Sequence, residues 1–291
     1  MVSVAALASL ALSVSCSGDS EPRNGPIAAG FGNHIYLIEP DGAGRRTLGI
    51  AAGSSGIEWS SDGDSIAFTL GRDREDLYLA LPDGTGRRLV ARNVEAPAWS
   101  PDGEQIAFMR AICAAPPTCL DVDNPYELFV VEVGDGVVRR LTSNRGYDGG
   151  PSWSPDGRSI VYESDDGLSI MRSDGTGVRV LTGGGFKSNP RWSPDGKLIV
   201  FDDFFDVYVV SSEGGRPRQL TRNPGPDFDA AWSPDGTMIV YLSNHDCAER
   251  NGCTAHEPMQ LWVMNADGTG SRQVTGYGWY APSWGPGRDE P

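Results

Sequence analysis

Pro151-Ser-Trp153-Ser-Pro-Asp-Gly157-Arg-Ser-Ile160-Val-Tyr162 carries the plan of the fold in one short stretch. Pro155 presets φ for the second position of a tight turn, Asp156 tolerates the next, and Gly157 supplies a left-handed exit. The apolar alternation that follows is that of a strand. The same phrase returns as Trp59-Ser-Ser-Asp-Gly63, Trp99-Ser-Pro-Asp-Gly103, Trp192-Ser-Pro-Asp-Gly196, Trp232-Ser-Pro-Asp-Gly236 and a decayed Trp284-Gly-Pro-Gly287. The tryptophans stand 40, 54, 39, 40 and 52 residues apart. A period near 40 with a turn and several short strands predicts a β-propeller.

Each repeat reads as four strands. A tryptophan strand (A) and the turn lead into strand B, as in Ile106-Ala-Phe108, Ile199-Val-Phe201 and Ile239-Val-Tyr241. Strand C follows, as in Leu77-Tyr-Leu79, Leu168-Ser-Ile170 and Val207-Tyr-Val-Val210, and ends in a second turn such as Asp83-Gly-Thr-Gly86 or Asp267-Gly-Thr-Gly270. A short, Arg-rich strand D closes the unit, as in Arg139-Arg-Leu-Thr142 and Arg272-Gln-Val-Thr275. Residues 27–30, 35–38 and 46–50 read as B, C and D without an A, whereas residues 281–285 read as an A with nothing after it. The expectation is an all-β, six-bladed propeller of four-stranded blades, closed by pairing of the C-terminal strand with the N-terminal strands. Such closure leaves no open sheet edge and predicts a monomer.

These repeats resemble the WD-repeat-like units of the TolB propeller family, which also occur in prolyl oligopeptidases. The resemblance spans residues 26–287 and rests on Trp-Ser-Pro-Asp-Gly, on Pro97, Pro151, Pro190 and Pro282 two residues before four tryptophans, and on the Asp-Gly-x-Gly turns. It implies protein partners on an open face of the ring. In TolB proteins it implies an extra N-terminal α/β domain, and in the peptidases a hydrolase domain. A 291-residue chain is nearly filled by one propeller, so neither is expected here.

Residues 2–14 form an apolar run too short to span a bilayer as a mature helix but suited to a signal-peptide core. Two readings of the processing site stand open. One is a signal peptide over 1–15 with lipidation of Cys16 and a tether over 16–25. The other is ordinary cleavage after Ser15. The cysteines favour the first: of five, four fall as Cys113–Cys119 and Cys247–Cys253, two equally spaced pairs in corresponding loops. Two disulfides imply an oxidising compartment and leave Cys16 for acylation. Loops so short gain roughly 2 kcal/mol from closure, enough to stiffen a loop rather than to hold a fold. The expected location is extracytoplasmic, in the cell envelope or periplasm, with membrane contact only through the anchor.

Function should sit where the repeat is broken. The A–B and C–D turns share one rim, and backbone geometry explains their residues. The D–A and B–C loops share the other, with both long insertions and the irregular charged and aromatic residues. From that loop rim the candidate partner-binding residues are Glu95, Asp148, Asp227, Asp229, Phe228, Trp279 and Tyr280. The last two belong to Tyr277-Gly-Trp-Tyr280, which either stacks a ligand or packs the closure. Phe186, Phe204 and Phe205 extend the apolar part. A net charge of −15 favours a cationic peptide or basic protein surface and disfavours nucleic acid and anionic lipid.

Asp121, Asp123, Asp202, Asp203 and Asp206 offer hard oxygen donors and are calcium candidates, although no segment has the full loop pattern. His245 and His256 flank the second cysteine pair, but a disulfide there would remove the thiolates zinc needs. No catalytic motif is recognisable: neither a Gly-x-Ser-x-Gly elbow, nor His-Glu-x-x-His, nor a phosphate-cradling Gly-Lys-Ser/Thr loop occurs. The tryptophans, all at one strand position, read as packing between blades. The sequence therefore points to a non-enzymatic, protein-binding propeller without a required cofactor. The alternative is a carbohydrate-binding or carbohydrate-active propeller, glycosidase or lyase, using the acidic, aromatic loop rim.

Overall fold

The computed structural model describes residues 24–51, 56–71, 75–112, 126–144, 146–245 and 259–287. Cys16, the four paired cysteines, Asp121, Asp123 and His256 lie outside these residues, as does most of the expected signal peptide and tether. Within them the chain opens with β1 (Asn24–Phe31), β2 (His34–Ile38) and β3 (Arg45–Ala51). Four antiparallel sheets of four strands follow. The first holds β4 (Ile57–Trp59), β5 (Ile66–Leu70), β6 (Asp76–Ala80) and β7 (Arg88–Ala91). The second holds β8 (Glu95–Trp99), β9 (Gln105–Ala111), β10 (Tyr126–Glu132) and β11 (Val138–Arg140). The third holds β12 (Asp148–Trp153), β13 (Ser159–Ser164), β14 (Gly167–Arg172) and β15 (Arg179–Gly183). The fourth holds β16 (Lys187–Trp192), β17 (Leu198–Asp203), β18 (Asp206–Ser211) and β19 (Arg218–Gln219). The chain ends with β20 (Asp227–Trp232), β21 (Met238–Ser243), β22 (Met259–Asn265) and the long β23 (Arg272–Pro286).

The expectation of separate four-stranded sheets needs one correction. The last strands form a seven-stranded sheet in the order β20-β21-β22-β23-β1-β2-β3. The cause is β23, which runs for 15 residues without a turn. Its first part pairs with β22 through Arg272↔Val263, Gln273↔Trp262 and Tyr277↔Gln260. Its second part pairs with β1 through Trp279↔Phe31, Tyr280↔Gly30 and Trp284↔Ile27. One strand is thus D to the sheet before it and A to the sheet after it, and it joins the two ends of the chain. Gly278 makes the handover possible: its φ is +105°, and a Cβ there would come within 2.8 Å of the Phe31 ring.

The core lies between neighbouring sheets rather than within one. Val200, Val207 and Val209 of β17 and β18 pack on Trp232, Ile239, Tyr241 and Met264 of the next unit. Ile27 and Ile38 near the N-terminus pack with Val240, Leu261 and Val263 near the C-terminus. This is why strand B is buried on both faces, as in Ile199, Val200 and Phe201, all 0 % exposed. The tryptophan strands touch in a circle, β4 to β8, β12, β16, β20, β23 and back to β4. The result is a propeller around a central channel.

The Arg-rich character of strand D has its explanation at the outer edge. Arg46 donates to the Pro82 carbonyl, Arg88 to Val133, Arg139 to Asp174, Arg179 to Ser212, Arg218 to Asp267 and Arg272 to Pro40. Each bond runs from one unit to the C–D turn of the next, and the last returns to the first. The A–B turns are equally uniform. In the five that carry serine and aspartate, the serine hydroxyl donates to the aspartate two residues on, as in Ser154 to Asp156 at 2.6 Å, and the aspartate accepts the next turn N–H, here that of Arg158 at 3.0 Å. Ser100–Asp102, Ser193–Asp195 and Ser233–Asp235 repeat this arrangement, and Ser60–Asp62 keeps it although Ser61 replaces the proline.

Candidate functional site

The inner strands do not run straight along the channel. Three residues before the tryptophan, Ala96, Gly150, Asn189, Asp229 and Ala281 adopt left-handed φ between 47° and 54°. Register shifts between Glu95 and Ala98, Gly149 and Ser152, Ser188 and Arg191, and Phe228 and Ala231 mark bulges at these points. Four non-glycine residues held this way store backbone strain at one level of the channel. Buried acids on strand B support two of the bulges from the preceding unit. Glu163 Oε1 accepts the Asn189 N–H at 2.8 Å, and Asp202 Oδ2 accepts the Asp229 N–H at 2.9 Å.

Two cavities follow from this shape. A small one of about 80 Å³ is lined at the bulge level by Gly56, Ala96, Asn189, Asp229 and Ala281. A larger one of about 370 Å³ lies toward the turn rim and is lined by all six repeat tryptophans, with Glu58, Ser152, Arg191, Ala231 and Ser283. Ile57, Arg191 and Pro282 line both. The tryptophans therefore pack between units, as Trp232 does by donating to the Arg191 carbonyl at 3.2 Å, and also form the wall of the larger cavity.

The residue just before each tryptophan is Glu58, Ala98, Ser152, Arg191, Ala231 or Ser283. Four are small and uncharged; two carry opposite charges. These two sit on β4 and β16, three steps apart in the circle of inner strands and so on opposite walls. Burial pushes the Glu58 carboxyl up to about 7, against the opposing pull of the Arg191 charge and the Trp99 backbone N–H. Glu58 Oε2 is shielded from solvent and has no hydrogen-bond partner. Arg191 leans on the Pro151 and Pro190 carbonyls at 3.4 Å.

Above this level a polar chain crosses three units. Tyr147 donates to Glu163 at 3.0 Å, and Asn189 donates from its side chain to Asp202 at 2.9 Å and to Asp229 at 2.7 Å. Burial raises the pKa of Glu163 and Asp229, and that of Asp202 by more because the Asp229 charge adds to the desolvation.

Of the residues expected to bind, Asp229 reaches the channel. Asp148 and Asp227 are buried at the matching starts of β12 and β20, where Asn144 and Asn223 donate to them at 2.7 and 2.5 Å. Both are pushed up to about 6 by burial. Glu95 is half-buried and accepts from Tyr126 at 3.2 Å. Trp279 is 3 % exposed and packs in the closure between Phe31 and Tyr36, with Arg45 over all three rings. Phe228 packs against the same core, and Tyr280 donates to the Gly32 carbonyl at 3.3 Å. Asp203 pairs with buried Lys187 at 2.9 Å, and Asp202 and Asp206 are buried. Among the described residues no group of three acidic, histidine or cysteine side chains could hold a metal ion. His245 stacks on Trp262 at 4.8 Å.

Phe186, Phe204 and Phe205 are exposed aromatics of the loop rim, at 67, 74 and 40 %, and Tyr277 is exposed at 44 %. Phe204 and Phe205 form the two-residue turn between β17 and β18, and Phe186 lies in the loop before β16, whose Gly185 faces the Phe204 ring. Glu58, Arg191, Glu163 and Asn189 were missed by reading the sequence for broken repeats on the loop rim. The signal was available in the column before each tryptophan, where only two residues are charged.

Residues 34–203 match the TolB beta propeller domain, and the chain belongs to that family. A TolB protein homolog of Chlorobium chlorochromatii is 27 % identical over 46 % of this chain and 32 % of its own. An uncharacterized peptidase of Bacillus subtilis, YuxL, is 30 % identical over 38 % of this chain and 22 % of its own. An uncharacterized protein of Agrobacterium fabrum is 28 % identical over 52 % of this chain and 43 % of its own. The chain thus matches less than half the length of these relatives. Among solved structures, TolB from Acinetobacter baumannii aligns with a TM-score of 0.73 at 21 % identity, over 89 % of this chain and 66 % of that one. A TolB-like protein of Agrobacterium tumefaciens aligns at 0.68 and 20 %, over 88 % and 91 %. The oligogalacturonate lyase of Vibrio parahaemolyticus aligns at 0.56 and 14 %, over 83 % and 71 %. At these identities the likeness is one of fold.

Proposed function

We propose that this chain is a six-bladed propeller, exported and lipid-anchored through Cys16, that holds a protein partner on its loop rim at the cell envelope and performs no chemistry itself. The six-blade reading is supported by the circle of six inner strands and the six arginine bonds, with β23 counted in two blades. The location is supported by the apolar run at residues 2–14 ending at Ser15-Cys16 and by membership of the TolB propeller family.

One observation carries the binding reading: three phenylalanines stand exposed together at the tip of the β16–β19 blade, and one of them is held against its backbone preference. Phe204 has φ +59° in a turn position that favours asparagine or glycine. Folding alone does not account for bulky apolar residues in water at such a place, whereas a docking surface does. Exposed Asp165 and Asp166 on the neighbouring hairpin match the partner to an apolar segment flanked by basic residues.

The test is affinity capture from envelope extracts with the wild-type chain and a Phe186→Ser/Phe204→Asn/Phe205→Ser variant. Loss of a captured protein from a variant that melts like the wild type supports this reading. Undiminished capture overturns it.

A further inference from the structure

We propose that the tryptophan-lined cavity at the turn-rim end of the channel binds a small zwitterion, its ammonium group on Glu58 and its carboxylate on Arg191. The site lies at the opposite end of the channel from the phenylalanine tip and is independent of the partner-binding reading.

The fold leaves one salt bridge in the channel unmade. Glu58 and Arg191 line the same cavity, yet no ion pair within 4 Å joins them, and Glu58 Oε2 is both buried and unpartnered. A buried carboxylate oxygen without a partner leaves desolvation uncompensated on the Glu58 side. A chain selected only for packing would place small residues there, as it does in the other four units with Ala98, Ser152, Ala231 and Ser283. Arg191 donates to the Pro151 and Pro190 carbonyls through Nη1, and its charge also acts on Glu163 and Asp229, but no ion pair within 4 Å joins it to a carboxylate among the described residues, so the rest of its donor fork is open to one. The acid stands on β4 and the base on β16, across the circle, so that one molecule lying in the cavity can meet both.

The walls fit the same ligand. Indole faces attract ammonium groups through their negative π surface and cover methylene groups well. The other nearby hydroxyls are engaged: Ser283 accepts the Trp59 N–H at 3.1 Å and Ser152 accepts the Trp192 N–H at 3.3 Å. The indole N–H groups of Trp59, Trp99, Trp153 and Trp192 are also buried without a partner; being donors only, they favour an anionic end, and a compact molecule with one positive and one negative end would serve Glu58 and Arg191 together. About 370 Å³ admits a molecule of amino-acid size.

The test uses ω-amino acids as probes, because they vary the charge separation on an otherwise plain chain. 4-Aminobutyrate, 6-aminohexanoate and 8-aminooctanoate are titrated into the full chain by calorimetry and by tryptophan fluorescence, with hexanoate and hexylammonium as single-charge controls. At least one zwitterion should bind tenfold or more tightly than either control. Glu58→Gln and Arg191→Gln should each remove that advantage, and Arg191→Lys should restore part of it in a protein that melts like the wild type. An ammonium group beside Glu58 favours its ionised form, so affinity should fall about tenfold from pH 8 to pH 6, and this dependence should vanish in Glu58→Gln. Equal binding of zwitterions and controls, binding by none of the probes, or a zwitterion advantage that survives both charge-removing variants would overturn the proposal.

Discussion

The two ends of this ring treat the same residue type in opposite ways. On the turn rim, Asp102, Asp156 and Asp195 accept a serine hydroxyl and a backbone N–H, and Asp83, Asp174 and Asp267 accept the same pair of groups from a threonine; all six carboxyls are held below their ordinary pKa. In the channel and the loops, burial raises Glu58, Asp148, Asp202, Asp227 and Asp229. Each turn-rim acid is ionised in water and stabilises one local turn. Each inner acid is a charge the fold must accommodate. The contrast separates aspartate as a turn residue from aspartate as a poised group, a distinction that composition alone conceals.

Titration gives the largest expected effect. The inner acids bind their protons more tightly when folded, so they favour the native state increasingly as pH falls from about 8 toward 5. The turn aspartates act in the other direction. Their contribution is fully present above the ordinary carboxylate pKa and is lost as pH falls through their lowered values. Thermal melting should therefore peak near pH 5, on the order of 5 °C above its value at pH 8. Glu58→Gln combined with Asp227→Asn should shrink the high-pH limb, leaving the share of Asp148, Asp202 and Asp229, and leave the acid limb unchanged. A flat limb in the wild type would break the comparison.

A single turn gives the next. Asp156→Ala removes the acceptor for Ser154 and Arg158 and should cost about 1 kcal/mol in denaturant unfolding. The loss should stay local, because the same bonds are remade in the other turns. The smallest effect runs the opposite way. Phe204→Asn suits the left-handed turn and should raise stability by about 0.5 kcal/mol while weakening partner capture. A Phe204→Asn variant that is less stable than wild type would mean that the phenylalanine serves the fold after all.

The repeated turns and the B and C strands were legible because their causes are local. Proline, aspartate and glycine set a turn within five residues, and alternation marks the strand beside it. The pairing of chain ends was also legible, since one end lacked the strand that the other supplied. The merging of two blades into one sheet was not: it depends on β23 running unbroken through Gly276 and Gly278, which no motif announces. Nor was the role of Trp279, whose company is set by Phe31 and Tyr36 from the other end of the chain. Asp148 and Asp227 looked like loop acids free to bind. Asn144 and Asn223, four residues earlier, engage them instead, and only burial reveals it.

By itself, the sequence determined that this protein is a ring of repeats with one uniform and one irregular rim, because turn chemistry and strand period act over a few residues. The tertiary structure alone decided which charges face one another. Glu58 and Arg191 are 133 positions apart in the chain. They share a cavity because the inner strands close into a circle, and proximity around a ring is a property of the closed chain, not of any segment in it.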